Sequence, residues 1–216
     1  MEKSKVQKYF YENGNIKTEC YYDENNNFYR KNDKPSIIDY YENGNIKSKQ
    51  WYIGTEINRS TGPAVISYYE NGNLKNEAYF KENVYHREDG PAIIHYFEDG
   101  SIKRTIWYYN DEYHNEHGPA EIWYYRNGTI GKEFWYINGE IARNDDNKPA
   151  VTYYYDNGKI EREFWYKNDK LHKENGPAII KYNIDGEIIK KSYFLNGIEV
   201  TDVLAIEIIE SSNKVN

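Results

Sequence analysis

The sequence predicts an all-β fold, an elongated meander of stacked antiparallel β-hairpins, because three features recur at one period. Proline returns after 28 residues in four of five intervals and after 30 in the other, from Pro35 to Pro177. A glycine preceded by Asn or Asp keeps the same spacing from Gly14 to Gly186, and an aromatic pair follows seven residues after each. Repeats of this length indicate stacked units, none of which can bury its apolar face alone.

The repeats divide the chain into about seven units over residues 1–198, with a capping segment and a tail over residues 199–216. Two-residue insertions before Pro35 and Pro149 predict longer loops at those two links. Thr201-Asp202 precedes an apolar stretch and has the residue types that begin a capped helix. We therefore expect a short C-terminal capping helix, with a last edge strand as the alternative.

Each unit contains the pattern of two strands and two reversals. Residues 91–97, PAIIHYF, are short, β-branched and aromatic, and Asp99-Gly100 follows at once, which predicts a strand that ends in a hairpin turn. The stretch after the turn, from Ile102 to Tyr109, is predicted to form the returning strand. Asn110-Asp111 predicts a second reversal, so successive hairpins follow one another along the sheet.

The register follows from the pairing that best separates polar from apolar positions. A three-residue loop over residues 98–100, with Gly100 in the left-handed conformation, gives one mainly apolar face. That face holds Ala92, Ile94, Tyr96, Ile102, Ile106 and Tyr108. The opposite face holds Ile93, His95, Phe97, Lys103, Thr105 and Trp107. In the sister units the His95 position is occupied by Asp39, Ser67, Trp123, Tyr153 and Lys181, and such variation suits a surface.

Composition narrows the classes of partner. The chain has 28 Lys plus Arg against 35 Asp plus Glu, a net charge of -7, which disfavours nucleic acid and anionic membranes. The sequence shows no secretory signal and no apolar run long enough for a membrane span, so we expect a cytoplasmic protein. The single Cys20 has no cysteine partner within the chain, and we expect it to be a small buried side chain in a strand.

Recurring histidines and glutamates are the candidates for chemistry. His86, His114 and His172 lie five residues before a proline, but equivalent positions in adjacent hairpins are about 9.5 Å apart, too far for a metal cluster. We expect them to be half-exposed and to hydrogen-bond the Gly-Pro loop. Glu77, Glu133 and Glu163 form a column interrupted by Thr105, for which we expect charge pairing with lysines such as Lys75 or Lys47. Catalysis by paired carboxylates needs two unlike environments, so we predict no catalytic residue, cofactor or metal site.

The ring column, a set of aromatic residues at one position of each repeat, is the candidate binding site. It consists of Trp51, Tyr79, Trp107, Trp135, Trp165 and Tyr193. One interpretation is a structural ladder of cross-strand aromatic contacts. The other is an exposed strip that binds a protein partner, with Trp107 and Trp135 on the solvent side, because large rings are enriched in binding hot spots.

The pattern YY-[ED]NG-x-I-K-x-E-x-WY-x-NG, with the link HREDGPA, resembles the MORN-type repeat in its variant with tandem Asn-Gly turns. That variant occurs in bacterial antitoxin proteins and in repeat proteins of large DNA viruses, and the resemblance covers residues 9–198. It implies an elongated stack of hairpins and a scaffold that binds proteins, and it implies no catalytic residues. The function we predict is therefore a non-enzymatic interaction scaffold, for which the resemblance suggests an antitoxin-like or viral role, with a carbohydrate-binding aromatic repeat as the alternative.

Overall fold

The computed structural model describes residues 5–201, which form strands, turns and loops without a helix. The chain divides into two compact units, residues 1–111 and 112–216. The first unit contains β1 Lys5–Phe10, β2 Ile16–Tyr22, β3 Ile37–Tyr40, β4 Ile46–Gln50, β5 Tyr52–Ile53, β6 Glu56–Ile57, β7 Val65–Tyr68, β8 Leu74–Ala78, β9 Phe80–Lys81, β10 Val84–Tyr85, β11 Ile93–Tyr96, β12 Ile102–Ile106 and β13 Tyr108–Tyr109. The second unit contains β14 Glu112–Tyr113, β15 Glu121–Tyr124, β16 Ile130–Phe134, β17 Tyr136–Ile137, β18 Glu140–Ile141, β19 Val151–Tyr154, β20 Ile160–Phe164, β21 Tyr166–Lys167, β22 Lys170–Leu171, β23 Ile179–Tyr182, β24 Ile188–Leu195 and β25 Ile198–Val200.

The longer strands of each unit form an antiparallel meander. Their order is β1-β2-β3-β4-β7-β8-β11-β12 in the first unit and β15-β16-β19-β20-β23-β24-β25 in the second. Short strands form separate two-stranded hairpins in the links, such as β5 with β6 and β17 with β18. The predicted all-β fold of stacked antiparallel hairpins is confirmed.

The glycine-marked turns are three-residue loops, as predicted. At the turn between β11 and β12, Gly100 N donates to Phe97 O at 3.0 Å, and Phe97 N donates to Ser101 O at 2.8 Å. Gly100 has a φ of 89°, in the left-handed region that favours glycine. Asp99 Oδ1 accepts a hydrogen bond from Ser101 N at 3.0 Å, which explains why Asn or Asp precedes these glycines.

A β-bulge follows every one of these turns, and the sequence does not reveal it. In the β11–β12 hairpin, Tyr96 pairs with Ile102. The preceding His95 pairs with Arg104, so Lys103 is an extra residue in the returning strand. The same shift occurs at this place in each of the other six hairpins.

The bulge makes the predicted grouping of the two faces wrong. An extra residue inverts the alternation beyond it, so Ile94 pairs with Thr105 instead of sharing a face with Ile106. Ile106 pairs with Ile93 on the opposite face. Trp107 alternates with Thr105 and therefore lies on the Ile94 side of the sheet.

The link hairpins contain the second reversal predicted at Asn-Gly and Asn-Asp pairs. Between β17 and β18, Ile137 pairs with Glu140 across a two-residue loop. Asn138 and Gly139 in that loop have φ values of 50° and 78°. Positive φ at both positions is the geometry of a type I′ turn, whose twist suits an antiparallel hairpin.

The most buried positions repeat with the period of the chain. The residue after each link proline is 0–1% exposed, and these residues are Ser36, Ala64, Ala92, Ala120, Ala150 and Ala178. The backbone of the ring column pairs with them, as where Trp51 N donates to Ala64 O at 2.8 Å. Each ring-column residue for which such a bond is described therefore lies beside the small residue of the following link.

At the C-terminal end, β25 pairs with the end of β24 through Leu195 with Ile198 and Tyr193 with Val200. The predicted capping helix after Thr201-Asp202 lies outside the described residues.

Candidate functional site

In five of the repeats, a cation from the link lies over the first aromatic ring of the aromatic pair. The cation follows its ring by eight residues in the four later repeats and by nine in the first. The distances from cation to ring centre are 3.7 Å for Arg30 over Tyr21, 4.0 Å for Arg59 over Trp51, 4.0 Å for Arg87 over Tyr79, 3.8 Å for Arg143 over Trp135 and 3.5 Å for Lys173 over Trp165. Attraction between a cation and the ring face stabilises this packing.

The same cations close the links. The Nη1 atoms of Arg59, Arg87 and Arg143 donate to the carbonyl of the next link proline at 3.1–3.4 Å. Arg59 also bonds the carboxylate of Asp33, which lies in the longer first link, with 2.7 Å between Nη2 and Oδ2. Hydrogen bonds from Arg59 and Thr61 lower the pKa of Asp33, so the pair stays charged.

The ring column is mostly covered. Trp51 and Trp165 are only 7% and 6% exposed, and the other four rings are half-buried. The expectation of an exposed strip is therefore wrong for Trp51 and Trp165, because the rings lie on the more buried side of the sheet, under the link cations. Partner binding by the column stays a prediction.

The indole nitrogens of the column differ between repeats. Trp51 Nε1 donates to Asp33 O at 3.0 Å. Trp135 Nε1 and Trp165 Nε1 are buried without a hydrogen-bond partner. A cleft of about 470 Å³ lies beside Trp135, and a cavity of about 100 Å³ lies beside Trp165.

The glutamate column bonds to tyrosines, which corrects the expected pairing with Lys75 or Lys47. The hydroxyl of a tyrosine in the next hairpin donates to each carboxylate at 2.6–3.0 Å. These pairs are Tyr40 with Glu19, Tyr96 with Glu77, Tyr154 with Glu133 and Tyr182 with Glu163. Lys47 and Lys75 are the extra residues of their bulges and instead lie over the rings of Tyr41 and Tyr69, at 5.8 and 5.6 Å.

The tyrosine hydroxyls of this column resist ionisation. Burial, with a hydrogen bond to Glu19 as the next cause, raises the pKa of Tyr40 to about 12. Burial and the matching glutamate raise the pKa values of Tyr96, Tyr154 and Tyr182 in the same way. Each of these carboxylates thus has a tyrosine of the next hairpin as a partner, and Glu19 also pairs with Lys8. This arrangement stabilises the sheet.

His86 and His172 bond to the turn of the following link hairpin, so the expected bond to the Gly-Pro loop is wrong for these two histidines. His86 Nδ1 lies 3.1 Å from Asn110 Oδ1. His172 Nδ1 accepts a hydrogen bond from Asn196 N at 3.1 Å. Within residues 5–201, His, Cys, Asp and Glu side chains form no group of three that could hold a metal ion.

The opposite face of the second unit carries a line of aromatic and basic side chains that sequence reasoning missed as a set. This cation–aromatic row consists of Trp123, Lys132, Tyr153, Arg162, Lys181 and Lys190. The sequence revealed only the members at the His95 position, because the bulge hides which residues of the returning strands join them. Lys132 Nζ lies 5.7 Å from the Trp123 ring centre and 4.9 Å from that of Tyr153.

The corresponding row of the first unit is different in chemistry. Thr18 Oγ1 donates to Asp39 Oδ1 at 2.8 Å, and Ser48 Oγ donates to Asp39 Oδ2 at 2.7 Å. These three side chains therefore use their hydrogen-bonding groups on one another. In the second unit, the same positions of the repeat carry several cations instead.

Comparison with known proteins identifies the repeat. The family described as MORN repeat variant matches residues 4–24, 38–52, 64–82 and 150–168. No curated protein matches the chain significantly. Within residues 5–201 there is no helix with the length and apolar character needed to cross a membrane.

Proposed function

The chain is a MORN-type repeat protein, and we propose that it is a non-enzymatic scaffold that binds a partner protein through its β-sheet. Repeats of this family generally form scaffolds for interactions with proteins or membranes. An antitoxin-like inhibitor and a viral interaction factor, the two roles that the resemblance suggests, would both act by binding a protein.

The observation that carries the proposal is a constant framework with a variable row. The link residues after proline, the covered rings and the glutamate–tyrosine bonds recur from hairpin to hairpin. At one position of the six hairpins that follow the first, the side chain differs from hairpin to hairpin and is half-buried: Asp39, Ser67, His95, Trp123, Tyr153 and Lys181. A stack of similar units that differ along one line is how repeat proteins present an extended binding surface.

The carboxylates of the framework support a binding role over catalysis. Glu77, Glu133 and Glu163 each accept a hydrogen bond from a tyrosine of the next hairpin. Acid–base catalysis by two carboxylates needs one raised and one ordinary pKa within a cleft. The glutamate column instead places each of these carboxylates in the same kind of environment, next to a tyrosine hydroxyl.

The ring column is the second candidate surface for the partner. The cleft beside Trp135, which Tyr136, Ile137 and Arg143 also line, could receive a partner side chain. Sugar stacking on these rings, the basis of the carbohydrate alternative, requires an open ring face, and Arg143 already covers one face of Trp135 at 3.8 Å.

The test is capture of proteins from extracts of the source cell by the immobilised chain, followed by titration of the purified partner. Trp123→Ser with Tyr153→Ser alters the variable row, and Tyr29→Ser with Tyr109→Ser, at two exposed tyrosines outside that row, is the matched control. We expect the row variant to lose about 10-fold or more in affinity for the partner, equivalent to ~1.4 kcal/mol, and the control to bind with unchanged affinity. Retention of no protein beyond that held by denatured bait, or binding on a glycan array alone, would overturn the proposal.

A further inference from the structure

We propose that the cation–aromatic row of the second unit binds an extended acidic segment of a partner protein. This inference rests on the proposed scaffold function and names the chemistry of the partner that the scaffold takes.

The row is continuous because its members pair directly across neighbouring strands. Trp123 pairs with Lys132, Lys132 with Tyr153, and Tyr153 with Arg162. Arg162 then pairs with Lys181, which pairs with Lys190. Six strands at ~4.8 Å spacing give a line about 24 Å long on one face of the sheet.

The positive charge of the row is largely uncompensated. Within the described residues, Lys132, Lys181 and Lys190 make no ion pair. Arg162 Nη2 lies 2.9 Å from Glu161 Oε1, but Arg162 Nε is buried and has no hydrogen-bond partner. Glu121, an acidic side chain beside the row, accepts a hydrogen bond from Trp123 Nε1.

The arrangement of the cations is unfavourable for the free fold. Arg162, Lys181 and Lys190 lie on three successive strands and are directly opposite one another. Like charges at directly opposed positions destabilise a sheet. In the first unit the same row contains the mutually bonded Thr18 and Asp39, so the repeat itself does not require cations there.

The aromatic members hold two of the four cations, Lys132 and Arg162, in place. Lys132 lies between the Trp123 and Tyr153 rings, and Arg162 lies 5.0 Å from the Tyr153 ring centre. Phe134 and Phe164 pack edge-on against Tyr153 at 6.2 and 5.5 Å. Cations that are positioned before binding lose less side-chain entropy when carboxylates pair with them.

Charge complementarity favours carboxylates of a protein over the phosphates of nucleic acid. The rings face the row's own cations and offer little open surface for stacked bases, which binding of single strands uses. The chain carries a net charge of -7, which repels a long polyphosphate. Physiological salt screens charges that are more than ~8 Å apart. A short acidic segment lies closer than this to the row, so attraction by the cations of the row outweighs repulsion by the net negative charge of the chain.

The test measures binding of fluorescent peptides to the full chain across a series of salt concentrations. The acidic probe is an alternating Glu-Ser peptide of about eight residues, long enough at ~3.4 Å per residue to span the row. A Lys-Ser peptide, a single-stranded oligothymidine and vesicles containing phosphatidylserine are the comparison probes. We expect the acidic peptide to bind most tightly and its affinity to fall as salt rises.

Two variants with equal changes of charge locate the binding. The row variant changes Lys132, Arg162, Lys181 and Lys190 to Gln. The control changes four other lysines to Gln, namely Lys17, Lys47, Lys75 and Lys103, which lie over aromatic rings at the bulges of the first unit. We expect the row variant to lose at least about 10-fold in affinity for the acidic peptide, and the control to change by less than about 3-fold.

Equal losses in the two variants, or tighter binding of oligothymidine or vesicles, would overturn the inference. A second measurement does not depend on the folding of any variant: the acidic peptide is cross-linked to the unaltered chain with a carbodiimide. We expect the cross-links at Lys132, Lys181 and Lys190. Links scattered over other lysines would overturn it as well. If the row variant still binds the partner captured by the unaltered chain, the inference fails while the scaffold function stands.

Discussion

The guanidinium carbon of Arg143 lies 3.8 Å from the centre of the Trp135 ring, and Arg143 Nη1 donates to Pro149 O at 3.1 Å. One side chain thus covers the ring that directly follows β16 and closes the link that leads to β19. Because similar contacts recur at Arg59 and Arg87, this cation is part of the repeat's framework.

Arg143→Gln should destabilise the fold because it removes both contacts of the guanidinium. A partly buried cation–π contact and a hydrogen bond together predict a loss of ~1.5–3 kcal/mol in the free energy of unfolding. Lys148→Gln is the control in the same link, where an exposed Nζ lies 3.4 Å from Asp145, and we expect a loss of less than ~0.5 kcal/mol. Chemical denaturation measures both, and equal losses would contradict a framework role for Arg143.

The Tyr40–Glu19 bond predicts a loss of stability at high pH. The pKa of Tyr40 is about 12 in the fold, against an ordinary value of 10.0. Its stabilising contribution is therefore complete below pH 10 and disappears as the pH rises from 10 towards 12, where the unfolded chain ionises first. Melting midpoints across this range should fall less steeply in Tyr40→Phe than in the unaltered chain. Parallel profiles would show that this hydroxyl is not responsible.

Glu19 predicts the opposite dependence at acid pH. Burial alone would raise its pKa, but hydrogen bonds from Lys8, Tyr40 and Tyr21 outweigh burial and lower the pKa below the ordinary value of 4.5. A lowered pKa gives stability that is present above pH 4.5 and is lost as the pH falls through the value in the fold. Glu19→Gln should therefore reduce the drop in melting midpoint below pH 4.5, and an unchanged drop would contradict the bond.

Gly100→Ala should cost ~1–2 kcal/mol, because the position has a φ of 89° and a Cβ atom disfavours the left-handed region. The side chain itself would meet nothing within 4 Å, so backbone conformation is the sole cause. Gly62→Ala is the matched control at a glycine without positive φ, where the nearest atom to a new Cβ is Arg59 Nη1 at 3.5 Å. We expect it to be neutral or slightly stabilising in denaturant melts. Similar costs at both glycines would exclude the conformational explanation.

The fold class and the turns could be predicted because their signals are local. Asp99-Gly100 specifies a left-handed glycine, and Asn138-Gly139 specifies a type I′ turn, through backbone preferences of two residues. The bulge could not be predicted in this way. Lys103 has no unusual backbone requirement, and the bulge appears only when the pairing of both strands is known.

Because the sequence does not reveal that Lys103 is the extra residue of a bulge, the candidate site was predicted on the wrong face of the sheet. With the bulge ignored, Trp107 was grouped with His95 on the variable face, whereas it lies with Thr105 on the Ile94 side. The cation over each ring did leave a signal, since Arg59 and Arg143 both follow their tryptophan by eight residues. Its meaning depends on the link folding back over the ring, which is a tertiary contact.

Trp165→Ala should unfold the protein early, and this outcome separates the two candidate surfaces. Trp165 is 6% exposed beneath Lys173, whose Nζ lies 3.5 Å from the ring centre, so truncation leaves a cavity and an uncovered cation. We expect a loss of ~3–5 kcal/mol, against less than ~0.5 kcal/mol for Ile53→Ala at a 58% exposed position.

The ring column and the cation–aromatic row lie on opposite faces of the second unit. Trp135 alternates with Glu133, which pairs with Thr152, whereas Lys132 pairs with Tyr153 on the other side. Binding measured below the melting midpoint of Trp165→Ala should therefore be normal for the fraction that is folded, because the face that carries the row is intact. A variant that melts like the unaltered chain but no longer binds its partner would instead assign partner recognition to the ring column.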